Sequence, residues 1–99
     1  MKGHVDLLLL ATLRRGPLHG YGIVEALRTG SAGAFDLAEG TVYPALYRLE
    51  AAGLLSSSWT KAGGRRRRVY ELTKRGRSEL AKEKGEWKVF AHAMEAVVT

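Results

Sequence analysis

Cysteine is absent from these 99 residues, which excludes disulfides, a thiol nucleophile and any cysteine-held metal site. Proline occurs only at Pro17 and Pro44, and there is neither a low-complexity linker nor an internal repeat. Long apolar runs are also missing. The longest, Leu7 to Ala11, is far too short to cross a membrane. Met1-Lys2 ahead of it could open a signal peptide, but Asp6 interrupts the approach and Arg14-Arg15 closes it, so a soluble intracellular protein is expected. No nucleophile stands beside a base, and no phosphate loop or metal cluster occurs at motif spacing. His4, His19 and His92 fall on three different elements with no ligand spacing between them, so the sequence argues against catalysis, a metal and a cofactor.

Acid is the scarcer charge. Ten Asp+Glu face sixteen Lys+Arg, giving a formal net charge of +6 and a pI near 10.0. Such an excess favours nucleic acid or another acidic surface as partner, and is silent on fold. The length allows one domain. A chain this short buries about 60–65% of its unfolded surface and often leans on a partner chain.

Along the chain, residues 4–14 carry Val5, Leu7 to Leu10 and Leu13 densely enough for a helix buried on most sides, stopped at Gly16-Pro17. A second helix is predicted over about 20–29, with Tyr21, Ile23, Val24 and Leu27 as its apolar face. Phe35-Asp36-Leu37 alternates and reads as a minimal strand. The third helix, about 39–52, aligns Val42, Leu46 and Leu49 toward a core. Its opposite face holds Thr41, Pro44, Tyr47, Arg48 and Ala51, with Tyr43 on the flank. Pro44 costs least within about the first turn, where amide donors are still unpaired. Leu54 to Thr60 and Arg67 to Leu72 then read as strands joined by a Gly-Gly turn. Thr73 can cap a last helix to about residue 98, striped with Leu80, Trp87, Phe90, Ala91, Met94, Val97 and Val98.

This order predicts an α+β, mainly helical fold: a winged helix-turn-helix over residues 1–73, followed by a C-terminal dimerisation helix over 74–99. The stripe belongs to the last element, with little chain left to cover it, which argues independently for a homodimer.

Several stretches together resemble the PadR family of bacterial transcription regulators. They are Gly3-His-Val-Asp-Leu-Leu-Leu-Leu10, Gly16-Pro-Leu-His-Gly-Tyr-Gly22 and Gly40-Thr-Val-Tyr-Pro-Ala-Leu-Tyr-Arg-Leu-Glu-Ala-Ala-Gly-Leu54, completed by Gly64-Arg-Arg-Arg-Arg-Val-Tyr-Glu-Leu-Thr73 and Gly76-Arg77. The chain is similar to the short subfamily, ending within the last helix. The resemblance implies a cytoplasmic bacterial homodimer that binds a palindromic operator in double-stranded DNA, usually as a repressor. It also implies that the third helix enters the major groove, the wing touches the backbone or minor groove, and the last helix joins the subunits. Some members of the family are released by small aromatic effectors. One departure is Ala38 where relatives often have a serine-like cap, a loss of about 1 kcal/mol unless Asp36 substitutes.

The DNA-facing candidates are therefore Thr41, Tyr43, Pro44, Tyr47 and Arg48 on the helix, with Lys61, Arg65 and Arg66 on the wing. Tyr43 and Tyr47 can equally be packing residues with surface hydroxyls, and Arg48 can read guanine or hold a phosphate. Strand alternation prevents all four arginines from facing one way, and Arg68 is the one expected to pair with an acid on the sheet. His19 is expected to make a structural hydrogen bond at a helix start. Leu80, Trp87, Phe90, Ala91, Met94 and Val98 form either the dimer seam, the better-supported reading, or the lining of an effector pocket. A competing function is a winged-helix adaptor that binds protein or RNA and shows only weak, salt-sensitive, sequence-indifferent contact with DNA.

Overall fold

In the computed structural model, described for residues 4–99, the chain forms α1 (His4–Thr12), a 3-10 turn (Leu13–Arg15), β1 (Leu18–His19), α2 (Gly20–Gly30), α3 (Glu39–Ala51), β2 (Leu55–Ala62), β3 (Arg65–Leu72) and α4 (Lys74–Val98). Met1 to Gly3, the start of the leader-like segment and of the first motif, lie outside the described residues. The winged helix-turn-helix is present: α2 and α3 are followed by the β2–β3 hairpin.

The core is apolar throughout. Leu9, Leu10 and Leu13 meet Ile23 and Val24 of α2, Val42, Ala45, Leu46 and Leu49 of α3, and Leu55, Tyr70 and Leu72 of the sheet. Leu7 and Leu8, expected to be buried with their neighbours, are only half-buried and turn toward α4. A nine-residue helix tucked against α2 and α3 on one side still has a flank over which α4 passes incompletely.

The sheet has the order β1-β3-β2, all antiparallel. Its third strand is Leu18–His19, pairing with Tyr70 and Val69. The strand expected at Phe35-Asp36-Leu37 is absent, and residues 35–38 have no regular structure. Alternation alone does not make a strand when no partner edge lies alongside. Gly63 and Gly64 close the hairpin with φ of 58° and 77°. A two-residue loop with both central residues at positive φ matches the twist of the flanking strands, and glycine adopts it without steric penalty.

Helix α3 ends at Gly53, φ 80°, where Leu54 N–H bonds to the Leu49 carbonyl at 3.0 Å and Gly53 N–H to Glu50 at 2.9 Å. This Schellman closure feeds directly into β2. At its start Ala38 makes no side-chain cap, and Asp36 does not stand in for one. Pro44 is the sixth residue of α3, deeper than the first turn where it is best tolerated, so it deprives the Gly40 carbonyl of its usual amide partner.

Thr73 caps α4 as expected: its hydroxyl accepts from Gly76 N–H at 3.0 Å and donates to the Gly53 carbonyl at 2.7 Å. One hydroxyl thus ties the end of α3 to the start of α4. Beyond its first turns α4 leaves the core behind. Its 25 residues span about 37 Å, and the molecule measures 53 × 28 × 22 Å. Trp87, Val89, Phe90, Met94, Val97 and Val98 are all exposed. Among the described residues, no helix is long and apolar enough to cross a membrane.

Candidate nucleic-acid interface

The exposed side of α3 follows from its buried side. With Val42, Ala45, Leu46 and Leu49 in the core, Thr41, Pro44 and Tyr47 face outward, and Tyr47 is 57% exposed. Tyr43 is different. It is half-buried and packs against the core, with its ring over Gly20, where a Cβ would collide with it. Burial, more than the nearby Glu39, pushes the Tyr43 hydroxyl pKa above its ordinary value. Tyr43 thus packs partly against the core, whereas the Tyr47 ring, 6.4 Å from it, is left to solvent.

Arg48 is exposed but engaged. Its guanidinium donates to both carboxylate oxygens of Asp6, at 2.6 and 2.9 Å, linking α3 to α1. That hydrogen bond and the acid's charge raise the Arg48 pKa further.

The wing's two faces are set by register. Leu55, Ser57, Trp59 and Lys61 pair with Leu72, Tyr70, Arg68 and Arg66, so all eight share one face. That face starts in the core at Leu55, Tyr70 and Leu72 and ends in cations at Lys61 and Arg66. Arg65 and Arg67 point to the other face, which separates Arg65 from Arg66. Arg68 does pair with an acid, but the acid is on α3: Glu50, at 3.5 Å. Ser57 completes the link, accepting from Arg68 Nε at 2.9 Å and donating to Glu50 at 2.6 Å.

His19 directly precedes α2, at the helix start where a structural hydrogen bond is expected, and makes no side-chain cap there. Its Nε2 instead lies 3.2 Å from Arg67 Nη1 across the strand pairing. A cleft of about 810 Å³ gathers Tyr43, Tyr47, Arg65 and Arg66 with His19, Tyr21, Trp59, Arg67 and Arg68. Thr41, Pro44, Arg48 and Lys61 lie outside its lining. Trp59 is not among the residues expected from the sequence to face DNA, and its place opposite Arg68 follows only from the strand register.

On α4, Leu80 is half-buried against the core and Ala91 is half-buried, while Trp87, Phe90, Met94 and Val98 are exposed. Leu80 and Trp87 border an apolar cavity of about 570 Å³ between α1 and α4, with Leu7, Leu8, Ala11 and Phe35. Phe90 borders a neighbouring, more acidic recess, and Ala91, Met94 and Val98 line neither. Leu7, Leu8 and Phe35 carried no functional signal in the sequence, since apolar residues in helices are read first as core.

Comparison with known proteins agrees with this architecture. A sequence model of the Transcriptional regulator PadR-like family matches residues 9–82. The transcriptional regulator Rv3488 of Mycobacterium tuberculosis is 40% identical over 80 residues, covering 81% of this chain and 72% of that one. The crystal structure of a PadR family transcription regulator from Clostridium difficile superposes with a TM-score of 0.85 at 31% identity, covering 98% of this chain and all of the other. Bacillus subtilis PadR, solved in complex with operator DNA, gives a TM-score of 0.73 at 26% identity over 80% of this chain and 45% of that one. The chain belongs to the PadR-like family of transcriptional regulators, which are not enzymes.

Proposed function

We propose that this chain is a homodimeric repressor that reads an inverted-repeat operator in double-stranded DNA. The observation that carries the reading is a pair of exposed surfaces on one chain: the outward α3 face beside a cationic wing, and an uncovered apolar stripe on α4. The likeness to a PadR solved on operator DNA supports duplex DNA as the partner of the first surface. Thr41, Pro44 and Tyr47 meet the floor of the major groove, with Tyr43 held behind them as support. Lys61, Arg65 and Arg66 neutralise backbone phosphates, and Arg48 exchanges Asp6 for one.

Residues 4–73 act as the DNA-binding unit, and α4 joins two copies through Trp87, Phe90, Ala91, Met94 and Val98. Two α3 helices then address half-sites about 34 Å apart, or a multiple of that. A dimer seated across its operator excludes other proteins from that stretch of DNA, which is how repression follows. The apolar cavity at Leu80 and Trp87 suits a small aromatic or hydrophobic effector, which would release the DNA by altering the spacing of the α3 helices. Such a regulator works where bacterial DNA is, in the cytoplasm.

Selection of bound sequences from a random duplex library at about 150 mM salt tests the reading. An enriched inverted repeat supports a symmetric, sequence-reading dimer. Binding that is indifferent to sequence and vanishes as salt rises contradicts it, and favours an adaptor whose basic face serves protein or RNA.

A further inference from the structure

Trp59 stands in mid-strand with its indole 55% exposed. Its company there is charged. The Arg66 guanidinium lies 4.8 Å from the ring centroid and that of Arg68 lies 5.6 Å from it. Register explains both: Arg68 sits directly opposite Trp59, and Arg66 is the diagonal neighbour on the same face. The two arginines differ in what else holds them. Arg68 is tied down by Ser57 and Glu50. Arg66, among the described residues, makes no ion pair, and the ring is its restraint.

We propose that Trp59 is a positioning residue of the wing, holding the Arg66 guanidinium ready for a backbone phosphate. Stacking occupies the faces of the guanidinium and leaves the N–H donors at its edge free to bond phosphate oxygens. An unrestrained arginine surrenders its rotamer freedom when it grips a phosphate, and a ring that already restrains it removes part of that loss before binding. Arg68 serves as the fixed neighbour, since its donors are directed to Ser57 and to Glu50 of α3. The wing tip thereby takes its position relative to α3 from one pair and its poised cation from the other. The inference rests on the duplex-binding reading and names a residue which that reading does not use.

The test uses the full chain and the duplex recovered by selection. Trp59→Phe keeps a ring and stays within about threefold of the parent affinity, while Trp59→Leu lowers affinity by about five- to tenfold. Its dependence of log affinity on log salt becomes shallower by roughly one phosphate contact. In an Arg66→Ala background, Trp59→Leu changes affinity by less than about twofold, because the group it acts through is gone. Arg66→Lys, which keeps the charge but not the stacking plane and leaves the strand intact, loses affinity as Trp59→Leu does. It stands in for that variant if thermal melts show it misfolded. Equal losses from Trp59→Leu in both backgrounds, or parent-like binding by Arg66→Lys, overturn the positioning role while duplex binding stands. A parent protein that selects no duplex overturns the DNA-binding reading itself, and this inference with it.

Discussion

Arg48 on α3 and Asp6 on α1 form a two-pronged ion pair, 2.6 and 2.9 Å long, across 42 residues of sequence. The arginine side chain is 58% exposed, so the pair is worth no more than about 1 kcal/mol to the fold. Its interest lies in competition: phosphate and Asp6 ask for the same donors. Asp6→Asn is expected to leave the melting temperature within a few degrees of the parent and to tighten duplex binding a few-fold at low salt. Arg48→Ala is expected to weaken that binding. Fluorescence anisotropy checks both, and parent-like affinity in Arg48→Ala would remove Arg48 from the interface.

The start of α4 tolerates no side chain at Gly76. A Cβ there would run into the backbone carbonyl of Leu54, which cannot swing away because it also accepts from Thr73 N–H at 3.1 Å. Gly76→Ala is expected to destabilise the fold by about 1–3 kcal/mol, read as a lower denaturant midpoint. Gly20→Ala meets the ring of Tyr43, the far part of a side chain, and should displace that ring toward the α3 face. Its signature is weakened duplex binding with a smaller loss of stability.

Glu83 gives stability a pH dependence. Burial, a hydrogen bond with Glu79, and the charges of Glu79, Asp6 and Glu86 push its carboxyl pKa up to about 7 from 4.5. The recess it faces is bordered by His4, Trp87 and Phe90 as well. The folded chain therefore holds the proton more tightly than the unfolded one between those values. Stability from this group is full below about 4.5 and falls as the pH rises through 7. Glu83→Gln should flatten that decline and raise the melting temperature at pH 8. An unchanged pH profile of melting would contradict it.

The α4 stripe sets the oligomeric state. Phe90, 55% exposed, lies mid-way along the outer half of the helix. Phe90→Lys places a charge at a face that dimerisation would dehydrate, which a partner surface tolerates poorly. Sedimentation is expected to give a dimer for the parent and a folded monomer for the variant at micromolar concentration.

The helices and the hairpin were legible in the sequence because their information is local. Val42, Leu46 and Leu49 mark α3 by spacing, and Gly63-Gly64 marks the turn by the backbone it permits. What was not legible depends on partners distant in sequence. Leu18–His19 is a strand only because Val69 and Tyr70 lie beside it, while Phe35 to Leu37, with the better pattern, has no such edge. The wing cations were visible as a run, but which of them share a face with Trp59 depends on the pairing register. The Asp6–Arg48 pair and the Arg68–Glu50 pair needed the packing of α1 and the wing against α3. The aromatic and apolar character of α4 was plain from its composition, and its exposure follows from where the core ends.

The most direct measurement is the stoichiometry of the complex with the selected duplex, by light scattering at about 150 mM salt. Two chains on one inverted repeat are expected, with half-sites about 34 Å or a multiple apart, and the complex is lost for Phe90→Lys. A single chain per duplex, or a complex indifferent to the repeat, would contradict a symmetric reader of DNA.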